Sequence, residues 1–100
     1  MQDHIRHSVI FKFKDSVSPG DEKAFFDAAK ALALIPGVQN LEVLKQTSKK
    51  NPFTYGISMA FASQESYDLY NDHPAHVQFI QNHWLKNIAD FLEIDCVSMD

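Results

Sequence analysis

Tyr70-Asn71-Asp72-His73-Pro74-Ala75-His76, continuing through Phe79 and Ile80 to His83-Trp84, gathers three of the chain's five histidines, a tyrosine and a proline in one short window. An imidazole with an ordinary pKa of about 6.5 can take or give a proton at neutral pH, and a phenol can donate a hydrogen bond to an oxygen that gains negative charge. Tyr70 and His76 are therefore the candidate catalytic residues. His76 also has a plainer reading, as a histidine bonded to backbone at a helix start, and His73 reads as a helix-terminus residue. His76 and His83 lie seven apart, so an uninterrupted helix would put them on one face, where Asp72 or Asp90 could complete a metal set. No His-Glu-x-x-His or cysteine pattern supports such a site, and neither a metal nor another cofactor is expected.

The elements around this window must position it. Pro74 cannot continue a helix that reaches it and biases His73 away from helical backbone, so the helix carrying Tyr70 should stop near Asn71 or Asp72. A second helix starts at Pro74, and Val77, Ile80, Trp84 and Ile88 at helical spacing would give it an apolar face. The chain reverses between Tyr70 and His76, so both side chains can turn toward one space under the first strand. That strand runs from Ile5 to Phe13. Ile5, His7, Val9, Phe11 and Phe13 alternate with Arg6, Ser8, Ile10 and Lys12, and His7 is the one polar residue on the apolar face. A satisfied core histidine is the plain reading of His7; a pocket residue reaching in from the sheet is the sharper one.

Ser18-Pro19-Gly20-Asp21 predicts a helix start, and the helix runs to about Leu34 with Phe25, Ala28, Ala29, Leu32 and Ile35 inward. Pro36-Gly37 stops it. Val38 to Lys45 reads as a second strand, the polar run from Gln46 to Pro52 as a hairpin loop, and Tyr55 to Phe61 as a third strand. On that strand Tyr55, Ile57, Met59 and Phe61 are bulky, whereas Gly56, Ser58 and Ala60 on the other face are small enough for close approach. A helix from about Ser63 to Asn71 and a last strand from Asp90 to Val97 complete the order. Phe25, Phe26, Met59, Phe61, Phe79 and Trp84 are core residues, and an open volume between sheet and helices would make some of them a ligand lining. Lys45, Lys49 and Lys50 read as a solvated loop.

One hundred residues, 45% of them hydrophobic, suffice for a single domain with one core. A net charge of −4 without a basic cluster excludes a nucleic-acid footprint. Met1-Gln2-Asp3-His4 is no leader-like charged segment, and no apolar run is long enough to cross a bilayer, so no membrane partner and a cytoplasmic location are expected. The lone Cys96 reads as a buried small hydrophobe. The succession strand, helix, strand, strand, helix with an added helix, strand predicts an α+β fold: a ferredoxin-like split βαβ with a four-stranded antiparallel sheet and the helices on one face. The other face, with Ser8, Gly56, Ser58 and Ala60, is left for a second copy, giving a homodimer.

His7-Ser8-Val9-Ile10-Phe11-Lys12-Phe13-Lys14, Ile35-Pro36-Gly37-Val38, Tyr55 to Phe61, and His73-Pro74-Ala75-His76 backed by Phe79 and Trp84 stand in the order of a known family. On these motifs the chain resembles the stress-responsive α/β barrel family, the dimeric ferredoxin-like domain called Dabb. The resemblance spans almost the whole chain and implies a dimeric α/β barrel with sheets facing each other; most members carry no established activity. One branch resembles polyketide cyclases in which a histidine base and an assisting tyrosine close an aromatic ring; the matching positions are Tyr70 and His76, with His7 in the same pocket. Ile57 stands where that branch has a second histidine, Ala29 where a tyrosine lines the pocket and Ile80 where a glycine leaves room. These exchanges make the pocket more apolar and tighter, favouring binding of a small carbonyl-containing or aromatic ligand over turnover. His7, Val9, Phe26, Ile57, Met59, Phe79, Ile80 and Trp84 would line it. A cyclase or lyase using Tyr70 and His76 is the alternative, and a monooxygenase of the same dimeric fold the weaker one.

Overall fold

Burial along the first strand follows the period of two: Ile5, His7 and Phe11 are buried while Arg6 is exposed. In the computed structural model, which describes residues 4–99, this run is β1 (Ile5–Phe13). The reading of Met1-Gln2-Asp3 lies outside the described residues. Ser18 then caps α1 (Pro19–Ala31). Its hydroxyl accepts from the Asp21 N–H at 3.1 Å while the Asp21 carboxylate accepts from the Ser18 N–H at 3.3 Å, so two donors at the helix start are satisfied reciprocally. The last turn tightens into a 3₁₀ turn over Leu32–Leu34, which brings Leu32 under the sheet with Phe25 and Ala29. Gly37, at φ 93°, makes the turn after Pro36.

β2 (Gln39–Lys45) and β3 (Tyr55–Phe61) form the hairpin, and Ser63 caps α2 (Gln64–Asp72) by accepting from the Ser66 N–H at 3.2 Å. The break at Pro74 is where the sequence placed it. α3 (Pro74–Phe79) follows, then a π-helical turn over Ile80–Trp84 and a final turn over Leu85–Asn87 before β4 (Ile88–Val97). The π turn changes the phase of this segment. Phe79 and Trp84, five apart, become its buried residues; Val77 is 39% exposed, and Ile88 is buried as the first residue of β4 rather than on the helix. The expected Val77–Ile80–Trp84–Ile88 stripe is thus corrected.

The sheet order is β2-β3-β1-β4, every pair antiparallel, which is the ferredoxin-like arrangement. His7 is directly opposite Met59 on one side and Asp95 on the other, and Val9 opposite Ile57 and Glu93. Directly opposed residues share a sheet face, so these six lie together beneath the helices. Arg6, Ser8 and Ile10 share the open face with Ala60, Ser58, Gly56, Cys96, Ile94 and Leu92. Cys96 is therefore exposed in the single chain, which corrects the buried reading: alternation along β4 turns it away from the core. Phe11, Phe25 and Phe61 are the largest fully enclosed side chains, with the Phe11 and Phe25 rings 5.4 Å apart. No helix among the described residues is long and apolar enough to cross a membrane.

Candidate functional site

A cavity of about 300 Å³ opens between the sheet and the helices. β1 contributes His7 and Val9, β3 contributes Ile57 and Met59, and α2 contributes Tyr70 and Asn71. His76 and Phe79 reach it from α3, Ile80 and Trp84 from the π turn, and Leu32, Leu85, Phe91 and Glu93 close the remainder. Most of this wall is apolar, so its few polar groups fix what it can hold. Phe26 lies elsewhere. Adjacent helical residues point about 100° apart, so while Phe25 faces Phe11 and Phe79, Phe26 turns to the far end of the sheet and packs edge-on against Tyr55 and Phe13. It does not line the cavity.

The reversal at Pro74 brings the rings of Tyr70 and His76 to a centroid separation of 4.4 Å. Tyr70 is only 2% exposed, and its hydroxyl has no hydrogen-bond partner among the described residues. No fully enclosed side-chain oxygen or nitrogen there is left unpaired, so this hydroxyl opens onto the cavity. Burial, then the negative charge of Glu93, pushes the phenol well above its ordinary pKa, and it remains a donor. His76 is anchored at Nδ1, 3.1 Å from the Asn71 carbonyl oxygen. A carbonyl only accepts, so Nδ1 carries the hydrogen and Nε2 the lone pair. Burial holds this imidazole below its ordinary pKa, outweighing the Asn71 bond, which acts the other way. The pair is a neutral acceptor beside a neutral donor.

His7 enters from the sheet, its ring 6.4 Å from that of Tyr70. Its Nδ1 lies 2.6 Å from Asp95 Oδ1 and 3.5 Å from Glu93 Oε2, and Tyr67 places its hydroxyl 3.1 Å from the same nitrogen. The Tyr67 hydroxyl is also 2.9 Å from Asp95 Oδ2 and 3.2 Å from Glu93 Oε2. Sequence reasoning missed Tyr67, Glu93 and Asp95. Acidic residues on a terminal strand normally mark the solvent side, whereas here Leu92 and Ile94 are on the open face and exposed. The signal available was His7 itself, a polar residue on an apolar face that needs a partner on a neighbouring strand. His73 proves to be the N-cap of α3, its side chain accepting from the Ala75 N–H at 3.0 Å. His83 stacks on Phe79 at 5.9 Å, outside the cavity lining.

The model for the Stress responsive A/B Barrel Domain, Dabb, matches residues 5–98. Olivetolic acid cyclase of Cannabis sativa is 30% identical over 79 residues, which cover 75% of this chain and 78% of that protein. A Dabb-family protein of ferredoxin-like fold from Mesorhizobium loti superposes with a TM-score of 0.92 at 44% identity, covering 99% of this chain and 100% of that one. A dimeric ferredoxin-like protein of unknown function from Thermobifida fusca does so with a TM-score of 0.84 at 20% identity, covering 98% and 93%. With the family's domain spanning β1 to β4 and a 44% identical family member superposing over nearly the whole chain, this chain belongs to the stress-responsive A/B barrel (Dabb) family.

Proposed function

We propose that the chain binds a small neutral carbonyl-containing or aromatic ligand in the cavity bounded by Tyr70, His76 and His7. The observation that carries this is the Tyr70 hydroxyl, almost wholly buried yet unpartnered, opening on an apolar volume of about 300 Å³ beside a neutral imidazole. A carbonyl oxygen would accept from Tyr70, an acidic C–H or O–H of the ligand would face the His76 lone pair, and Val9, Ile57, Met59, Phe79, Ile80 and Trp84 would bury its apolar body. The test is thermal shift and calorimetry with the aryl 1,3-diketone benzoylacetone. The expected result is saturable stabilisation of the parent that disappears in His76→Ala; a parent that gains no stability, or a variant that keeps all of it, would count against the site.

The same reading includes a homodimer joined through the open sheet face. Leu44, Leu92 and Ile94 stand exposed there around Ser8, Gly56 and Ser58, a patch that a second copy of the same sheet would cover, and the Thermobifida fusca neighbour is described as dimeric.

A second reading, cyclase-type turnover, draws on the 30% identical olivetolic acid cyclase and on the pairing of Tyr70 with His76. The imidazole would take a proton from carbon between two carbonyls while the phenol stabilised the enolate oxygen, and ring closure would release water. Mass spectrometry of a linear polyketone incubated with the protein tests it: conversion to a product lighter by one water, lost in Tyr70→Phe, is expected, and an unchanged substrate rules turnover out.

A further inference from the structure

Resting on that reading of the cavity, we infer that Asp95 is a positioning residue that locks His7 as a second lone-pair imidazole facing the ligand. Asp95 stands directly across from His7 in the β1–β4 pairing, and its Oδ1 takes the Nδ1 hydrogen at 2.6 Å, a short hydrogen bond. The other oxygen, Oδ2, accepts from the Tyr67 hydroxyl at 2.9 Å, so the carboxylate is held at both ends. A carboxylate so held only accepts, which obliges Nδ1 to keep its hydrogen, and in the neutral ring the lone pair is then at Nε2, the nitrogen left to the cavity that His7 lines.

The cavity then presents an ordered set: a His7 acceptor, the Tyr70 donor and a His76 acceptor, with the Tyr70 ring 6.4 Å from the first imidazole and 4.4 Å from the second. The matching ligand offers a carbonyl oxygen to Tyr70 and an enol or phenol O–H to a neighbouring imidazole, the pattern of an enolised dicarbonyl or a hydroxylated aryl ketone. Glu93, which also lines the cavity, disfavours a ligand that carries its own carboxylate. His7, Glu93 and Asp95 are also the described residues whose donor atoms, all within 4.8 Å of one another, could surround an ion. Two ligands of one cation at bonds of about 2.1 Å sit roughly 3 to 3.5 Å apart, whereas the His7–Asp95 pair at 2.6 Å is spaced for a direct hydrogen bond.

Nitrogen-15 imidazole spectra of the whole protein read the tautomer without any ligand, so failure here is distinct from failure of ligand binding. The parent is expected to show His7 and His76 both protonated at Nδ1. In Asp95→Asn the amide can turn its NH₂ to Nδ1, and His7 should move toward the Nε2-protonated form while His76 stays unchanged. Benzoylacetone affinity should fall about tenfold, the size of one lost hydrogen bond. Tyr67→Phe, which frees one end of the carboxylate, should give a smaller shift in the same direction. An Nε2-protonated His7 in the parent, an Asp95→Asn variant with unchanged tautomer or unchanged affinity, or stoichiometric zinc uptake lost in Glu93→Gln would each overturn the assignment. A parent that binds no benzoylacetone would sink the ligand reading, and the tautomer spectra alone would then decide the role of Asp95.

Discussion

His76 is neutral in the fold for a reason that can be measured. Burial keeps its pKa below the ordinary 6.5, so as pH falls through 6.5 the unfolded chain takes up a proton at this imidazole before the folded chain does. A group with a depressed pKa of this kind removes stability as pH drops from 6.5 toward its folded value, and the loss is complete below that value. Urea melts of the parent and of His76→Gln at pH 7.5 and pH 5.5 should therefore show the parent losing more stability between the two pH values than the variant. Equal losses would mean that the ring is as well solvated in the fold as in the unfolded chain. The Asn71 carbonyl and Glu93 act in the opposite direction, and they are too weak to reverse burial.

At the scale of elements, the site depends on two interruptions of helix. Pro74 ends α2 so that His73 can cap α3 and the chain can fold Tyr70 back onto His76. The π turn at Ile80–Trp84 then sets Phe79 and Trp84 against the sheet, where Trp84 meets Phe11 at 5.3 Å and Phe91 at 5.4 Å. β3 supplies the floor. Phe61 is 0% exposed and stacks on Tyr67 at 5.0 Å, the same Tyr67 that holds Asp95. Phe61→Ala should cost about 3 to 5 kcal/mol from lost burial and the cavity left behind, a large part of a small domain's stability. Denaturant melts giving less than about 1 kcal/mol would show that Phe61 is not a core anchor.

For the molecule as a whole, the helices cover one face of the sheet and leave the other with exposed leucine and isoleucine side chains. The Ser8 and Ser58 hydroxyls sit 3.1 Å apart at the middle of that face, with Gly56 and Ala60 beside them. In the homodimer proposed above, these small side chains would let a second copy approach closely. Ser58→Trp should therefore convert a dimer to a monomer at micromolar concentration while preserving the far-ultraviolet circular dichroism of the fold. Sedimentation showing a monomeric parent, or a dimer that tolerates the tryptophan, would exclude this face as the interface.

Local regularities were enough to place most of the framework. Period-two alternation from Ile5 to Phe13 and from Tyr55 to Phe61, the Ser18 and Ser63 caps and the Pro74 break each act through neighbouring residues, so the linear sequence determined them and, with the order of elements, the split βαβ arrangement. It also singled out Tyr70, His76 and His7, because a reversal at proline and a polar residue on an apolar strand are local facts. Only the tertiary structure decided the rest. The π turn depends on how Phe79 and Trp84 fit beneath the sheet, and it moved Val77 out of the core. The partners of His7 come from strand register: Asp95 is 88 residues away, and nothing in β4 alone states that its acidic residues rather than Leu92 and Ile94 lie on the helix side. Register is fixed by which pairing buries the most apolar surface across the whole sheet while satisfying His7, a condition that no single segment contains.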